Sequence, residues 1–594
     1  MHPLLQVPFD PAQVLAKKKR IRREQLAEGC SRTPCRIAIL GGSTTAPLKD
    51  VLELFLLDRG IQPQFYESEY NRWYEDLQFG CPALEAFQPQ IVYLHTSVVN
   101  LVKEFPPAGA SKEAAEAAVK SAYQRYADCW EAIHQKYHAA IVQNNFELPM
   151  TRRYGNLDAW VEDGTVRFVQ RMNHLFADAA ATTSQLYLQD LQHISAQFGL
   201  ARWFDREFYA LYKMAMAAEA IPYIAQNLAA IIGAIMGKSR KCLVLDLDHT
   251  LWGGIISEDG VAGLEIGHET ALGESYLAWQ EYVRQLKERG VILAVCSKND
   301  QEIALRGFSH PDCLLKPEDF VSFQANWDSK DTNLKRIAQE INIGLDSLVF
   351  IDDSPMERAL IRSQLPIVAV PEVDGGEPFS YIRAIEQGKY FETVSVSQDD
   401  RLRTDTYLQN KKREKLAENS SSYEEFLRSL AMEAEIAPFQ DVYLARIAQL
   451  TNKSNQFNLT TRRYTEEELR QIASDERYLT LYGRLKDRFG DNGLVSVVIG
   501  EKDGAVLKIR LWLMSCRVLR RGLEYAMLDA LAEWAEKSRM KELQGDYYPT
   551  RKNQMVANLY EQFGFSKVFE DSGHHTIWRL SLDDYRPRNH LIQR

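Results

Sequence analysis

A chain of 594 residues is too long for one hydrophobic core and divides into several domains. With 45% hydrophobic and 26% charged residues it reads as an ordinary globular protein, and a formal net charge of −10 gives no reason to expect nucleic acid. Its eight cysteines include no C-x-x-C pair, which argues against a zinc site or a disulfide framework and suits a reducing cytoplasm.

The first residues lack the apolar core and cleavage site of a signal peptide. Residues 1–35 read as a basic arm: Lys17 to Arg23 is either a solvated helix face or a patch that steers an acidic partner. Residues 36–238 read as an α/β domain. Arg36 to Leu40 is a strand that runs through Gly41 and Gly42 into Ser43, Thr44, Thr45 and a helix ending near Leu57. Ile91 to His95 and Ile141 to Gln143 are further strands, the latter followed by Asn144 and Asn145. With a late Asp190-x-x-His193, this order resembles the SGNH hydrolase fold. That resemblance implies Ser43 as nucleophile and His193 as its base, or else the same fold used for packing or partner binding. The apolar stretch Ile221 to Met236 contains Gln226 and Asn227 and falls short of a membrane span, so it predicts a packed helix.

The strongest chemistry begins at Leu243 to Gly254, LVLDLDHTLWGG. On a continuing strand Asp246 and Asp248 face the same way, roughly 6–7 Å apart. Such a pair is costly at the end of an apolar run unless a cation or phosphoryl chemistry uses it. Mg²⁺ takes one or two carboxylates with water and phosphate, and an aspartate can also attack phosphorus. The plainer alternative is that Asp248 and Thr250 only cap the turn that follows. Val291 to Val295 is a second apolar run, ending in Cys296, Ser297, Lys298 and Asn299. A third, Ser347 to Ile351, ends in Asp352 and Asp353, with Asn326 to Lys330 and a helix between them. Strands alternating with helices predict a parallel sheet whose ligands gather at the strands' carboxyl ends. Lys330 would neutralise phosphate and nucleophile charge there, and Asp352 and Asp353 would complete a metal site.

Asp-x-Asp-x-Thr, then Ser, Lys and Asp-Asp resembles the haloacid dehalogenase (HAD) superfamily. The wording LDLDHTLWGGIISEDG, LAVCSKND and LVFIDDSPMER is similar to its FkbH-like phosphatase/glyceryl transferases. The resemblance implies a HAD-like Rossmannoid parallel sheet over residues 239–370, with Asp246 as nucleophile and Asp248 as general acid/base. Ser297 and Lys330 stabilise charge, Thr250 and Asn299 bind phosphate, and Asp246, Asp248, Asp352 and Asp353 surround Mg²⁺. The family usually carries Asn where His249 stands, which implies a tuned site.

Residues 371–424 lose periodicity and predict a linker with helices. Over 425–594, the strand Leu507 to Met514 opens through Ser515, Cys516, Arg517, Arg520, Arg521 and Gly522 onto a helix at Leu523, a natural anion cradle. With NLYEQFGF at Asn558 to Phe565, this resembles the α+β GNAT acyltransferase fold, although Arg520 stands where that fold's loop has its first glycine. The implied ligand is the phosphopantetheine of a carrier protein, held by Arg517, Arg520, Arg521 and Gly522 where the sheet splays. Cys516 is then the candidate acyl carrier and Cys296 its rival, a small buried hydrophobe being the alternative for both. Thr451 to Tyr464 reads as a carrier-facing loop or as a plain N-cap and loop, Tyr560 as a general acid, and His574 and His575 as bases or solvent-facing residues.

Taken together, the FkbH resemblance implies that 1,3-bisphosphoglycerate is captured, a phosphate is removed, and a D-glyceryl thioester is delivered to an acyl carrier protein in polyketide-type biosynthesis. Two alternatives stand: a phosphatase of a small metabolite fused to a CoA-dependent acyltransferase, or a non-catalytic scaffold that recruits carrier proteins. No membrane partner is expected.

Overall fold

A computed structural model describes the chain except residues 1, 28, 30, 31, 396–406, 408, 411, 412, 414, 415, 418–421, 455, 551, 552 and 584; at 453 and 516 it describes the backbone only. The fold is multidomain α/β. Its described residues form two compact units, Met1–Ser239 with Glu386–Val394, and Arg240–Ile385 with Ser395–Arg594.

The first unit is a five-stranded parallel sheet: β1 (Thr33–Gly41), β2 (Ile61–Glu67), β3 (Ile91–His95), β4 (Ala140–Asn144) and β5 (Leu186–Gln189), in the order β2-β1-β3-β4-β5. Every residue of β3 and β4 is buried, as expected of strands covered by helices on both faces. One face packs Pro11–Ala27, Ala46–Asp58 and Ile221–Ile235 through Val14, Ile21, Leu52 and Ile224. The other packs Lys112–Tyr137 and Thr165–Thr182 through Trp130, Phe168 and Phe176. The basic run therefore lies on a helix of this unit, where Lys18 pairs with Asp50 at 2.6 Å and Arg22 with Glu53 at 2.8 Å. The stretch Ala218–Ile235 is apolar enough to cross a membrane by composition, and two thirds of it is buried in this core.

The second unit holds two sheets. The first, β6 (Cys242–Leu245), β7 (Ile292–Ser297), β8 (Phe320–Ala325) and β9 (Leu348–Ile351), is parallel in the order β8-β7-β6-β9. Because β6 and β9 are adjacent, with Leu245 opposite Ile351, the residues that follow them emerge side by side.

The second sheet is mixed: β10 (Met432–Ala437), β11 (Phe457–Asn458), β12 (Tyr478–Asp487), β13 (Gly490–Asp503), β14 (Val506–Met514), β15 (Glu542–Tyr547), β16 (Ser566–Glu570), β17 (Thr576–Ser581) and β18 (Ile592–Gln593). The helix Leu523–Lys537 crosses between β14 and β15, which run parallel from Val506 opposite Glu542 to Ile509 opposite Gly545. There the register of β14 against β13 slips: Gly500 faces Ile509 and Ile499 faces Leu511, so Arg510 is the extra residue of a bulge. Beyond the bulge β14 stays paired with β13 as far as Met514, and on its other edge β11 takes the place of β15, Phe457 opposite Met514 and Asn458 opposite Leu513.

Candidate functional site

The apolar run of β6 stops at Leu245, so Asp246 leaves a buried strand at its carboxyl end. Asp352 and Asp353 leave β9 in the same way, and Lys330 opens the helix Lys330–Ile341 that packs against this sheet. Lys330, only 2% exposed, donates its Nζ to Asp246 Oδ2 at 2.5 Å and also to Asp352 Oδ2. Burial alone would lower the lysine pKa, but the two carboxylates outweigh it and hold the ammonium above the ordinary range. Asp352 is fully buried; that burial, with the Asp246 charge beside it, pushes its carboxyl up to about 7 despite the lysine. Burial and Asp246 likewise raise Asp353. One carboxylate oxygen from each of Asp246, Asp352 and Asp353 lies within 4.8 Å of the others. Three carboxylates against one ammonium leave a negative, all-oxygen cluster, the donor set a hard divalent cation takes.

Asp248 stands apart from that cluster, which corrects the four-carboxylate metal expectation. The strand does not continue, so the alternation that aligned Asp248 with Asp246 does not apply. Asp248 Oδ1 accepts from Trp252 Nε1 at 3.0 Å and from Ile256 N at 3.1 Å, while Oδ2 accepts from Asn299 Nδ2 at 2.8 Å. Burial raises its pKa, against the hydrogen bonds from Ile256 N and Trp252 that lower it, and so favours the protonated form that a general acid needs. Trp252 is fixed by close packing: a Cβ on Gly307 would come within 2.7 Å of its ring. Thr250 and Asn299, expected at phosphate, thus serve the carboxylates. Thr250 Oγ1 accepts from Asp353 N at 3.0 Å and donates to Asp353 Oδ1 at 3.3 Å, and Asn299 holds Asp248.

Ser297 is buried at the end of β7, two residues past Val295, which faces Leu245. His249 is exposed with φ 52°, a left-handed backbone that Asn, Asp and His adopt more readily than most residues. That accounts for His in the place of Asn. Its carbonyl accepts from Tyr276 and Tyr381 hydroxyls at 3.0 and 2.8 Å. Sequence reasoning missed Arg358, which reaches back from its helix to donate Nη1 to the carbonyls of Asp352 at 2.9 Å and Asp353 at 2.7 Å. A lone arginine one turn into a helix after two aspartates was the available signal.

In the C-terminal sheet, Arg521 is not at an anion site. It is buried against Asp487 at 3.2 Å, and Arg413 makes a two-pronged pair with the same carboxylate at 2.9 and 2.7 Å. Arg517 Nε rests on Ser515 Oγ at 3.2 Å, and Arg520 is exposed. Arg520 has φ 63°, the conformation that explains a glycine at this place in the GNAT pattern. Gly522, with φ 82°, caps the following helix. The side chain of Cys516 lies outside the described residues. Cys296 is a core residue whose Sγ sits 3.8 Å from Lys330 O and whose thiol burial pushes well above its usual range. Tyr560 is fully buried against Gly545, not placed as an acid.

The opening between β14 and β15, expected to receive a pantetheine arm, is spanned by residues 457–460. Leu459 N donates to Trp512 O at 3.1 Å, Tyr548 N donates to Leu459 O at 2.9 Å, and Thr460 Oγ1 donates to Arg510 O at 2.9 Å. Of the polar stretch Thr451 to Tyr464, residues 457–460 therefore fill the sheet, while Thr451 lies in the last turn of the helix Asp441–Lys453. In the first unit Ser43 is buried with its hydroxyl unpartnered, whereas His193 is exposed, and Asp190 accepts from His193 N and Asn145 Nδ2. No Ser43–His193 hydrogen bond is made.

Residues 36–233 match the family model described as FkbH, N-terminal domain. The N-terminal part of the protein BF1531 from Bacteroides fragilis, containing a phosphatase domain complexed with Mg, is similar in structure: 28% identical, TM-score 0.59, covering 64% of this chain and 99% of that one. The ribosomal-protein-S18-alanine N-acetyltransferase from Escherichia coli is 16% identical with TM-score 0.20, covering 25% of this chain and 94% of its own. No curated protein matches. The resemblance to FkbH-like proteins thus stands, and the chain carries a HAD-type phosphatase fold.

Proposed function

We propose that the chain is an enzyme whose Asp246 centre removes a phosphate from a glyceryl unit destined for an acyl carrier protein. The observation that carries the first half is the convergence of Asp246, Asp352 and Lys330, with Asp353 beside them. An Asp246 oxygen attacks phosphorus, the P–O ester bond breaks, and the leaving oxygen takes its proton from Asp248. Water, deprotonated by Asp248, then attacks the aspartyl-phosphate and releases inorganic phosphate. Lys330 offsets the charge on Asp246 and Asp352 throughout. Mg²⁺, present in the B. fragilis phosphatase domain, fits the oxygens of Asp246, Asp352 and Asp353 and would neutralise charge on the phosphoryl group.

The finer reading, 1,3-bisphosphoglycerate as donor and the phosphopantetheine thiol of a carrier protein as acceptor in polyketide-type biosynthesis, rests on the FkbH resemblance and on the match over 36–233. The acyl phosphate of that donor is already activated toward a thiol, so its transfer calls for a base and an oxyanion site. The 3-phosphate is an unactivated ester, and it is the step that calls for an aspartate nucleophile. The segment 457–460 across the β14/β15 opening disfavours entry of a pantetheine arm through that gap, whether CoA or a carrier protein bears it. Phosphate release from a simple phosphoester tests the first half: it should require Mg²⁺ and vanish in Asp246→Asn. Release undiminished in that variant would remove Asp246 from the chemistry.

A further inference from the structure

Asp546 lies inside β15 and is 8% exposed, a costly place for a carboxylate. Its neighbours Leu543 and Tyr547 belong to the core on one face, so Asp546 faces the other. There Oδ1 stands 3.1 Å from His575 Nε2. The imidazole stacks flat on Tyr548, with centroids 4.1 Å apart and planes at 7°. Its other nitrogen, Nδ1, has Asp571 Oδ2 at 3.8 Å, beyond hydrogen-bond reach. The turn that delivers His575 does not need the ring. It closes through Asp571 N to His575 O, His574 N to Asp571 O, and Asp571 Oδ1 accepting from Gly573 N and His575 N.

Tyr548 ties this pair to the filled opening, because its backbone N–H bonds Leu459 O and Asn553 Nδ2 donates both to Tyr548 O and to Asn458 O. A buried carboxylate that fixes one imidazole nitrogen and leaves the other toward a polar, partly exposed rim is the arrangement of an oriented general base.

We propose that Asp546 and His575 form the proton-accepting pair of an acyl-transfer site at this end of the C-terminal sheet. The inference rests on the acyl-transfer reading above. His575, held with its Nε2–H on Asp546, takes the acceptor thiol's proton on Nδ1. The thiolate sulfur bonds to the acyl carbon, the C–O bond to phosphate breaks with its electron pair on phosphate, and the imidazolium returns its proton to water.

Transfer from enzymatically generated 1,3-bisphosphoglycerate to a holo carrier protein, followed by intact mass, tests it in the full chain. The expected results are a loss of about 100-fold in kcat for His575→Ala with KM little changed, partial recovery with added imidazole, and a similar loss for Asp546→Asn. His575→Gln, which keeps size and polarity, should melt with wild type and still fail to transfer. Undiminished transfer by His575→Ala, or a defect that imidazole leaves untouched while the variant's melting falls, overturns the pair's role. Absence of any wild-type adduct overturns the acyl-transfer reading itself, and the inference with it.

Discussion

Lys330 and Asp246, 84 residues apart in sequence, meet at 2.5 Å in a place where almost no solvent reaches the lysine. Desolvating an ammonium is costly, and two carboxylates must compensate it. Lys330→Met should therefore unfold at lower denaturant by about 3 kcal/mol, read by chemical denaturation of the second unit's signal. Mg²⁺ should restore part of that loss, since the two freed carboxylates are metal-type donors.

Arg358 holds the backbone of Asp352 and Asp353 from behind. Its Nη1 serves both carbonyls while Nη2 donates to Glu372 Oε1 at 2.7 Å and Val373 O at 3.0 Å, and the single nitrogen of a lysine cannot hold all four. Arg358→Lys is expected to weaken Mg²⁺ binding by roughly 10- to 100-fold, measured by calorimetric titration, with little change in melting at saturating metal.

The three hydrogen bonds on Asp248 aim its carboxyl. Asn299→Ala removes one of them. The loss is worth about 1 kcal/mol, so phosphate release should fall about fivefold in steady-state assays while the fold persists.

The first unit carries two buried groups with opposite pH behaviour. Burial pushes Glu147 up to about 7 from 4.5, so the folded state holds an extra proton between those values. The stability it contributes is full below about 4.5 and is lost as pH rises through 7. Burial pulls His95 down to about 4 from 6.5; its contribution is full above 6.5 and is lost as pH falls through 4. Each is worth about 3 kcal/mol, and they offset one another between pH 4.5 and 6.5. Glu147→Gln should leave a stability that only rises with pH across that window, read as hydrogen-exchange protection of β3 and β4.

The convergence at Asp246 was legible because its three aspartates follow apolar runs and parallel strands gather such ends, with Lys330 brought in by a helix start. What failed was strand length. Nothing in LVLDLD says that β6 stops at Leu245, and that stop sends Asp248 to Trp252 and Asn299. In the loop from Ser515 to Gly522 no periodicity tells an inward arginine from an outward one, so Arg521 looked like its neighbours until Asp487, 34 residues earlier, was seen beside it. The segment 457–460 is invisible locally, because its partners at Leu513, Met514 and Tyr548 are set by tertiary pairing.

The measurement that tests the central claim most directly is intact-mass analysis of a holo carrier protein incubated with this chain, Mg²⁺ and enzymatically generated 1,3-bisphosphoglycerate, beside Asp246→Asn. A glyceryl adduct with wild type, and a phosphoglyceryl adduct or none with the variant, is the predicted result. A glyceryl adduct formed equally by Asp246→Asn would contradict it.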